Sequence, residues 1–252
     1  VFILPLFILI GCADLDLQPT DMIAEDAVKK DPKLVEAFLT KIYANANFEP
    51  NEGRGYPNQD RLTDAVLGGE YTLMAPWQLG IQASTHVPTA SGAHSRIAKF
   101  QYGNIRSTNE IIEILNEASF DPQTVKEQIA EAKFLRAWMY FEMVKRYGGV
   151  PLELEPKQVD APVDELMIPR SSLKDCYDQI IADLDASIAD LPPTAISGKA
   201  TSMAARALKS RAALFAGRIA KYHPQSANGL TAIPASSAQA YYQMAHGAAS
   251  AV

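Results

Sequence analysis

The longest helical pattern in this chain runs from Asp121 to Pro151. Apolar side chains cover more of its circumference than one buried stripe needs, which is typical of a helix packed on several sides. These side chains are Val125, Ile129, Ala132, Leu135, Trp138, Met139, Phe141 and Val144. We therefore predict the central helix of a helical domain, with Trp138 and Tyr140 in its core.

Both ends of this helix carry recognisable signals. Asp121-Pro122 predicts the start, because Asp caps free amides and Pro fits the first turn. Lys145 and Arg146 suit the carbonyl end of the helix dipole, and Gly148 suits a left-handed cap. An extended, proline-rich segment is predicted to follow from Gly149 to Pro169.

Two helices are predicted before the central one. Asp31-Pro32 repeats the Asp-Pro start, and the helix runs from Pro32 to about Asn47. A second runs from about Ala93 to Ala118. Its apolar positions are Ile97, Phe100, Ile105, Ile111, Ile112 and Leu115.

Three helices are predicted after it. Ser172 with Asp175 resembles a capping box and begins a helix that ends near Leu191. Its carboxylates, such as Asp183, Asp185 and Asp190, have the spacing of a solvent face. Another helix runs from Lys199 to Tyr222, and residues 238–252 form the last.

The helix from Lys199 to Tyr222 has two contrasting faces. The predicted buried face consists of Ala204, Leu208, Ala212, Phe215 and Ile219. The opposite face carries Lys199, Arg206, Lys209, Arg218 and Lys221. We interpret the basic face as solvated surface, with an anion-binding role as the alternative.

These elements predict an all-α fold. Five or six helices in antiparallel pairs indicate a helical-hairpin array, and no exact repeat is visible, so the array is irregular and TPR-like. A long loop-rich insertion, residues 48–90, interrupts it. So long an irregular stretch in a compact domain is usually functional.

The N-terminal residues have the character of a secretory segment. VFILPLFILIG, residues 1–11, is too short to span a bilayer but suits the apolar part of a signal peptide. Leu9-Ile10-Gly11-Cys12 resembles a lipobox, so we predict lipidation of Cys12 and a polar tether over residues 12–30. The alternatives are an ordinary cleaved signal peptide or a buried N-terminal strand.

Composition narrows the classes of function. The net charge of −6 argues against a nucleic-acid-binding protein. Cys12 and Cys176 are too few for a disulfide framework, and Cys176 lies in a helical pattern that predicts an inert core thiol. The histidines His86, His94, His223 and His246 have no metal-ligand spacing.

No catalytic motif is recognisable. The chain lacks a G-x-S-x-G elbow, an H-E-x-x-H pair and a phosphate-binding glycine loop. A catalytic carboxylate pair of the glycosidase type stays an open alternative, because its two residues can be distant in the chain. We predict that the protein is not an enzyme and that it uses no cofactor or catalytic metal. Whether it binds a structural metal ion stays an open question.

The insertion of residues 48–90 offers candidate ligand contacts. Sugars are bound by flat aromatic surfaces flanked by planar polar groups. The candidates are Tyr56, Tyr71 and Trp77, with Asn58, Arg61 and Asp64, and with Asp60 and Gln78 nearby. The alternative is that Tyr71 and Trp77 only anchor the loop onto the helices.

The run EAKFLRAWMYFEMVKRYGGVP resembles the signature of the SusD/RagB family of surface nutrient-binding lipoproteins. Further similarity lies in GVPLELE, IPRSSLKDCYDQIIADLDASIADLP and GKATSMAARALKSRAALFAGRIAKY, so it spans residues 104–222. The resemblance implies a TPR-like scaffold that binds an oligosaccharide or peptide. It also implies a TonB-dependent transporter as partner and an outer-membrane location.

Other interpretations stay open. A helical-repeat lipoprotein could organise partner proteins at the envelope without binding a nutrient, and a surface glycoside hydrolase is a third hypothesis. Family members are longer than this chain, and residues 238–252 end without a cap, so we expect the N-terminal portion of a larger protein, clipped at its start.

Overall fold

The computed structural model describes residues 25–46, 100–158, 160–195, 198–226 and 228–252. Within these ranges the chain is helical and contains no β-strand, so the predicted all-α class is confirmed. The α-helices are α1 (Glu25–Val28), α2 (Pro32–Asn45), α3 (Tyr102–Asn116), α4 (Pro122–Tyr147), α5 (Val163–Leu166), α6 (Leu173–Asp190), α7 (Ser202–Tyr222) and α8 (Ala238–Ala249). A 3₁₀ turn, Ala235–Ser237, leads into α8.

The long helices form a consecutive array. Helix α4 packs against α3 on one side and α6 on the other, α6 packs against α7, and α7 packs against α8. Helix α2 covers α3 and the first half of α4. None of the described helices combines the length and apolar character that crossing a membrane requires.

The sequence signals for the helix starts are confirmed. The Asp31 side chain accepts a hydrogen bond from the Lys33 amide, and Asp121 accepts one from the Thr124 amide, both at 2.9 Å. Ser172 accepts from the Asp175 amide at 3.1 Å and donates to its carboxylate at 2.6 Å. Each of the three amides thereby gains an acceptor that its own helix does not supply.

Helix α4 lies at the centre of the core, as predicted. From Ala130 to Val144 nearly every side chain is buried, and Trp138 and Tyr140 are among them. Cys176 is fully buried, and burial raises the pKa of its thiol, in agreement with an inert core cysteine.

The end of α4 differs from the prediction in detail. Gly148 has a positive φ of 72° but a ψ of −148°, so it does not take the left-handed helical conformation. Lys145 pairs with Glu142 and lies 4.8 Å from the centre of the Phe141 ring, and burial lowers its pKa. A more distant residue, Arg170, donates to the Tyr147 carbonyl at 2.6 Å.

The two glycines that follow α4 permit a close approach of three segments. The Gly149 amide donates to the Leu230 carbonyl at 2.6 Å. A Cβ atom on Gly149 would lie 2.1 Å from the Ser171 carbonyl oxygen, and one on Gly148 would lie 2.2 Å from the Leu230 oxygen. The Gly-Gly pair therefore lets the chain leave α4 between residues 171–173 and 229–231.

Helix α7 is rotated relative to the predicted arrangement. Ala204 and Phe215, both predicted to be buried, are exposed, whereas Leu208 and Ala212 are buried as expected. Apart from Leu208, the buried side chains of α7 are small, namely Ser202, Ala205, Ala212, Ala213, Ala216, Gly217 and Ala220. The reason is that α7 contacts both α6 and α8, and small residues permit close packing on two sides.

Candidate functional site

The predicted ligand contacts lie outside the described residues. They are Tyr56, Asn58, Arg61, Asp64, Tyr71 and Trp77, and the predicted lipidation site Cys12 lies outside as well. The structure therefore describes the helical framework, and the role of these residues stays a prediction.

An aromatic stack lies at the start of the described segment 100–158. The ring of Phe100 stacks on the ring of Tyr147, with centroids 4.4 Å apart and an interplanar angle of 15°. The ring of Tyr102 lies 6.2 Å from Phe100 at 21°. Phe100 is 53% exposed, whereas the two tyrosines are half-buried. An aromatic ring in such a position can pack against the C–H face of a sugar.

The framework holds this stack in place. The Tyr102 hydroxyl donates to the Pro151 carbonyl at 3.0 Å, and Arg170 binds the carbonyl of Tyr147. The amide of Gln101 contacts the sulfur of the buried Met143 at 3.5 Å. Burial raises the pKa of both tyrosines, so their phenols stay neutral at physiological pH. The stack is thus an uncharged, fixed surface.

The position of Phe100 corrects the sequence prediction. We expected Phe100 on the apolar face of a helix that begins near Ala93, but α3 begins at Tyr102 and Phe100 precedes it. The helical spacing of its apolar side chain was misleading, because the ring packs on Tyr147 and not in the core. The useful signal was the F-x-Y pattern just before the start of α3.

A buried polar cluster also departs from the prediction. Asp183 was predicted to face solvent, yet it is 3% exposed and accepts two hydrogen bonds from Arg136, at 2.7 and 2.8 Å. Arg136 also donates to the side chain of Asn109 at 2.8 Å and to the carbonyl of Leu154. The spacing did contain a signal, because Asp183 shares a helix face with the buried Cys176 and Ile180.

This cluster is structural. Arg136 belongs to α4, Asp183 to α6 and Asn109 to α3, so one guanidinium connects three helices. The extended segment that follows Gly149 is held by the same group of residues, since Asn109 and Tyr140 both donate to the Glu153 carbonyl. Arg136 and Asp183 are 6% and 3% exposed and are hydrogen-bonded to neighbouring elements, so the pair connects the helices.

A surface groove lies at the C-terminal end of α7. Its volume is about 460 Å³, and it is lined by Phe215, Arg218, Ile219, Tyr222 and His223. Phe215 packs edge-on against Phe141 of α4, with centroids 5.5 Å apart. Of the predicted basic face, Arg218 and Lys221 are exposed, whereas Lys199, Arg206 and Lys209 are half-buried. Among the described residues, no three His, Cys, Asp or Glu side chains are grouped so that they could hold a metal ion.

Comparison with known protein families identifies the scaffold. The family model SusD-like_3, described as "Starch-binding associating with outer membrane", matches residues 15–214. SusD-like protein P2 of Formosa agariphila is 26% identical over 214 residues, which cover 81% of this chain and 40% of that protein. A SusD-like protein of Bacteroides ovatus is 27% identical over 211 residues, covering 80% and 36%.

Solved structures share the fold. A SusD-like protein from Bacteroides fragilis is 30% identical with a TM-score of 0.57, over 81% of this chain and 38% of that one. A laminarin-binding SusD-like protein is 23% identical with a TM-score of 0.59, over 86% and 44%. The surface glycan-binding protein A of Bacteroides fluxus is 21% identical with a TM-score of 0.58, over 77% and 42%.

The chain therefore spans about two fifths of the length of these relatives. Its helices correspond to their TPR-like helical scaffold, so the predicted irregular helical-hairpin architecture is confirmed. The family model covers well over half of the chain. The protein belongs to the SusD/RagB family, whose matching model is described as starch-binding and associating with the outer membrane.

Proposed function

We propose that this protein is a lipid-anchored protein of the outer membrane that binds a nutrient oligosaccharide and delivers it to a TonB-dependent transporter. The observation that carries the proposal is the match of residues 15–214 to a family described as starch-binding and associated with the outer membrane. Its mechanism is binding and transfer without bond chemistry. A peptide is the alternative ligand within the same function.

The ligand surface is proposed to combine the insertion with the aromatic stack. Tyr56, Tyr71 and Trp77 would supply stacking surfaces, and Phe100 supplies a described one further along the chain. Asn58, Arg61 and Asp64 would hydrogen-bond to sugar hydroxyls. Such an arrangement, in which a rigid scaffold positions functional loops, is typical of binding sites.

The lipid anchor is proposed at Cys12. Growth with a labelled fatty acid should label the native protein but not a Cys12→Ser variant, which should also leave the membrane fraction. Labelling of the variant to the same extent as the native protein would contradict this assignment. Digestion by a protease added to intact cells then tests whether the folded part of the protein faces outward.

A glycan screen tests the binding function directly. The purified protein would be run on native gels containing starch, laminarin or other polysaccharides; laminarin is included because a structural relative is named as a laminarin-binding protein. Retardation on one of them, and co-purification with a large β-barrel transporter, are the expected results. No retardation by any polysaccharide and no such partner would overturn the proposal.

The second candidate is a protein-interaction scaffold at the envelope. The observation in its favour is the groove at the end of α7, where Phe215 and Tyr222 are 39% and 61% exposed. Co-purification with other envelope proteins, lost on Tyr222→Ser, in the absence of any glycan binding would favour it. A surface glycoside hydrolase would be revealed by release of reducing sugar from the polysaccharides of the screen.

A further inference from the structure

Helix α7 carries large apolar side chains on its outward face. Its buried sides pack mainly against α6 and α8. On the remaining side Leu214 is 46% exposed, and Met203, Phe215 and Tyr222 are exposed as well. A surface helix normally directs its large apolar residues toward the core. Apolar side chains grouped on an exposed face usually mark an interaction site.

The last part of the chain has an excess of positive charge. Residues 191–252 contain six Lys and Arg but no Asp or Glu, so they carry a net charge of +6, whereas residues 1–190 carry −12. Two of the six cations, Lys199 and Lys209, are paired with carboxylates of α2 and α6. The excess positive charge therefore belongs to the remaining cations of α7.

Three of these cations share the outward face with the apolar side chains. Arg211 lies over the Phe141 ring, 6.0 Å from its centre. Arg218 and Lys221 are exposed, and neither forms an ion pair with a described residue. Exposed cations without neighbouring carboxylates attract a negatively charged partner and repel a positive one.

The side chains of this face have the spacing by which one helix packs on another. Arg211 and Arg218 are seven residues apart, and each is followed at i+3 and i+4 by exposed residues. These are Leu214 and Phe215 after Arg211, and Lys221 and Tyr222 after Arg218. Positions i, i+3, i+4 and i+7 lie on one side of a helix and supply the anchors of a helix-to-helix contact.

The groove at the end of α7 favours a protein segment over a flat surface. Its volume is about 460 Å³, and Arg218 lies in its lining together with Phe215 and Tyr222. A concave site with aromatic and arginine side chains is typical of the anchor points of protein interfaces. The exposed face from Ala204 to Tyr222 is roughly 27 Å long, which is enough for a helix of ordinary length.

We propose that this face of α7 docks an acidic amphipathic helix of a partner protein. Apolar side chains of the partner helix pack on Leu214 and Phe215, and one of them fills the groove. Its carboxylates accept hydrogen bonds from Arg218 and Lys221, and an arginine binds a carboxylate with two parallel bonds. Docking on α7 does not rest on glycan binding, because it uses neither the insertion nor the Phe100 stack.

Photo-cross-linking in cells that produce the protein identifies the occupant. Leu214→p-benzoylphenylalanine places the reactive group on the face, and Lys41→p-benzoylphenylalanine places it at an exposed position on α2 as a control. We expect the first variant alone to cross-link to a segment of another protein that carries Asp or Glu three, four or seven residues apart. Cross-links to lipid, to a second copy, to another part of the same polypeptide or to a segment without excess acid would overturn the proposal.

Charge reversal tests the contribution of the cations. In the Leu214 background, Arg218→Glu should reduce the cross-linking yield at least about tenfold, because like charges would then face each other. Lys41→Glu, the same charge change on α2, should leave the yield unchanged. Replacement of the partner's acidic residues by lysine should restore cross-linking to Arg218→Glu.

An unchanged yield with Arg218→Glu, or no restoration by the reversed partner, would overturn the proposal. Arg218 is exposed, so the variant is expected to fold, and its circular dichroism spectrum and melting temperature verify this. Retardation by polysaccharide in the native gels should be the same for Arg218→Glu and the native protein. That comparison separates a failure of the docking face from a failure of glycan binding.

Discussion

Arg136 and Asp183 form a two-pronged ion pair inside the protein, with N–O distances of 2.8 and 2.7 Å and exposed fractions of 6% and 3%. The pair joins α4 to α6. Through Asn109 and the Leu154 carbonyl, the same guanidinium reaches α3 and the segment that leaves α4. Paired and hydrogen-bonded at every nitrogen, it is a satisfied buried charge, and removal of one partner should be costly.

Asp183→Asn should therefore destabilise the protein by about 3–5 kcal/mol, because it leaves the Arg136 charge buried without a counter-charge. Urea unfolding followed by circular dichroism measures this. Asp185→Asn is the matched control, since Asp185 lies on the same helix in an exposed pair with Lys209 and should change stability by less than about 1 kcal/mol. Equal effects of the two substitutions would contradict the assigned role.

Gly149→Ala should destabilise the protein by about 1–3 kcal/mol, the usual cost of overpacking. The reason is that the added Cβ would lie 2.1 Å from the Ser171 carbonyl oxygen, which is backbone and cannot rotate away. Gly247→Ala in α8 is the control: nothing lies within 4 Å of its added Cβ, and Ala favours a helix. A stable Gly149→Ala variant would show that the three segments do not approach so closely.

Glu131 should make stability depend on pH. Its folded-state pKa is raised by burial above the ordinary value of 4.5, so the folded protein retains a proton that the unfolded chain releases. The free energy of unfolding then falls as pH rises from about 4.5 to the raised pKa, by about 1.4 kcal/mol for each pKa unit.

Glu131→Gln removes this loss, so its stability relative to the native protein should improve as pH rises from about 4 to about 7. Thermal melting at a series of pH values measures the difference. Tyr43→Phe removes a hydrogen bond that lowers the pKa of Glu131, so it should raise that pKa further and extend the loss of stability to higher pH. Parallel pH profiles of the Gln variant and the native protein would contradict the prediction.

Phe100→Ala should lower glycan affinity by about tenfold, or ~1.4 kcal/mol, without a large change in melting temperature, because the ring is exposed and packs on Tyr147 at the surface. Tyr222→Ala serves as control, since this aromatic residue is also exposed but lies on α7. Calorimetry with the glycan found in the screen compares the two. If both substitutions have the same effect, the stack has no special role.

The sequence predicted the helix starts correctly where residues close in the chain determine them. The Asp-Pro pairs and the Ser172–Asp175 box marked helix starts correctly, since capping involves residues within one turn. The predicted start of α3 and the predicted buried face of α7 were wrong. Both depend on neighbours distant in the chain, Tyr147 for Phe100 and two packed helices for α7.

The site was less predictable than the fold. In the sequence Asp183 resembles a solvated carboxylate, because its partner Arg136 is 47 residues away in the chain. Tyr71 and Trp77 lie outside the described residues, and their role in ligand binding stays a prediction from residue type.

The most direct test of glycan binding by the insertion is calorimetry on a Tyr71→Ala, Trp77→Ala double variant with the polysaccharide that the screen identifies. We predict that affinity falls at least about tenfold, or ~1.4 kcal/mol, while the melting temperature of the helical scaffold is unchanged. Native affinity in the folded double variant would contradict the account and would leave these two residues as anchors of the loop.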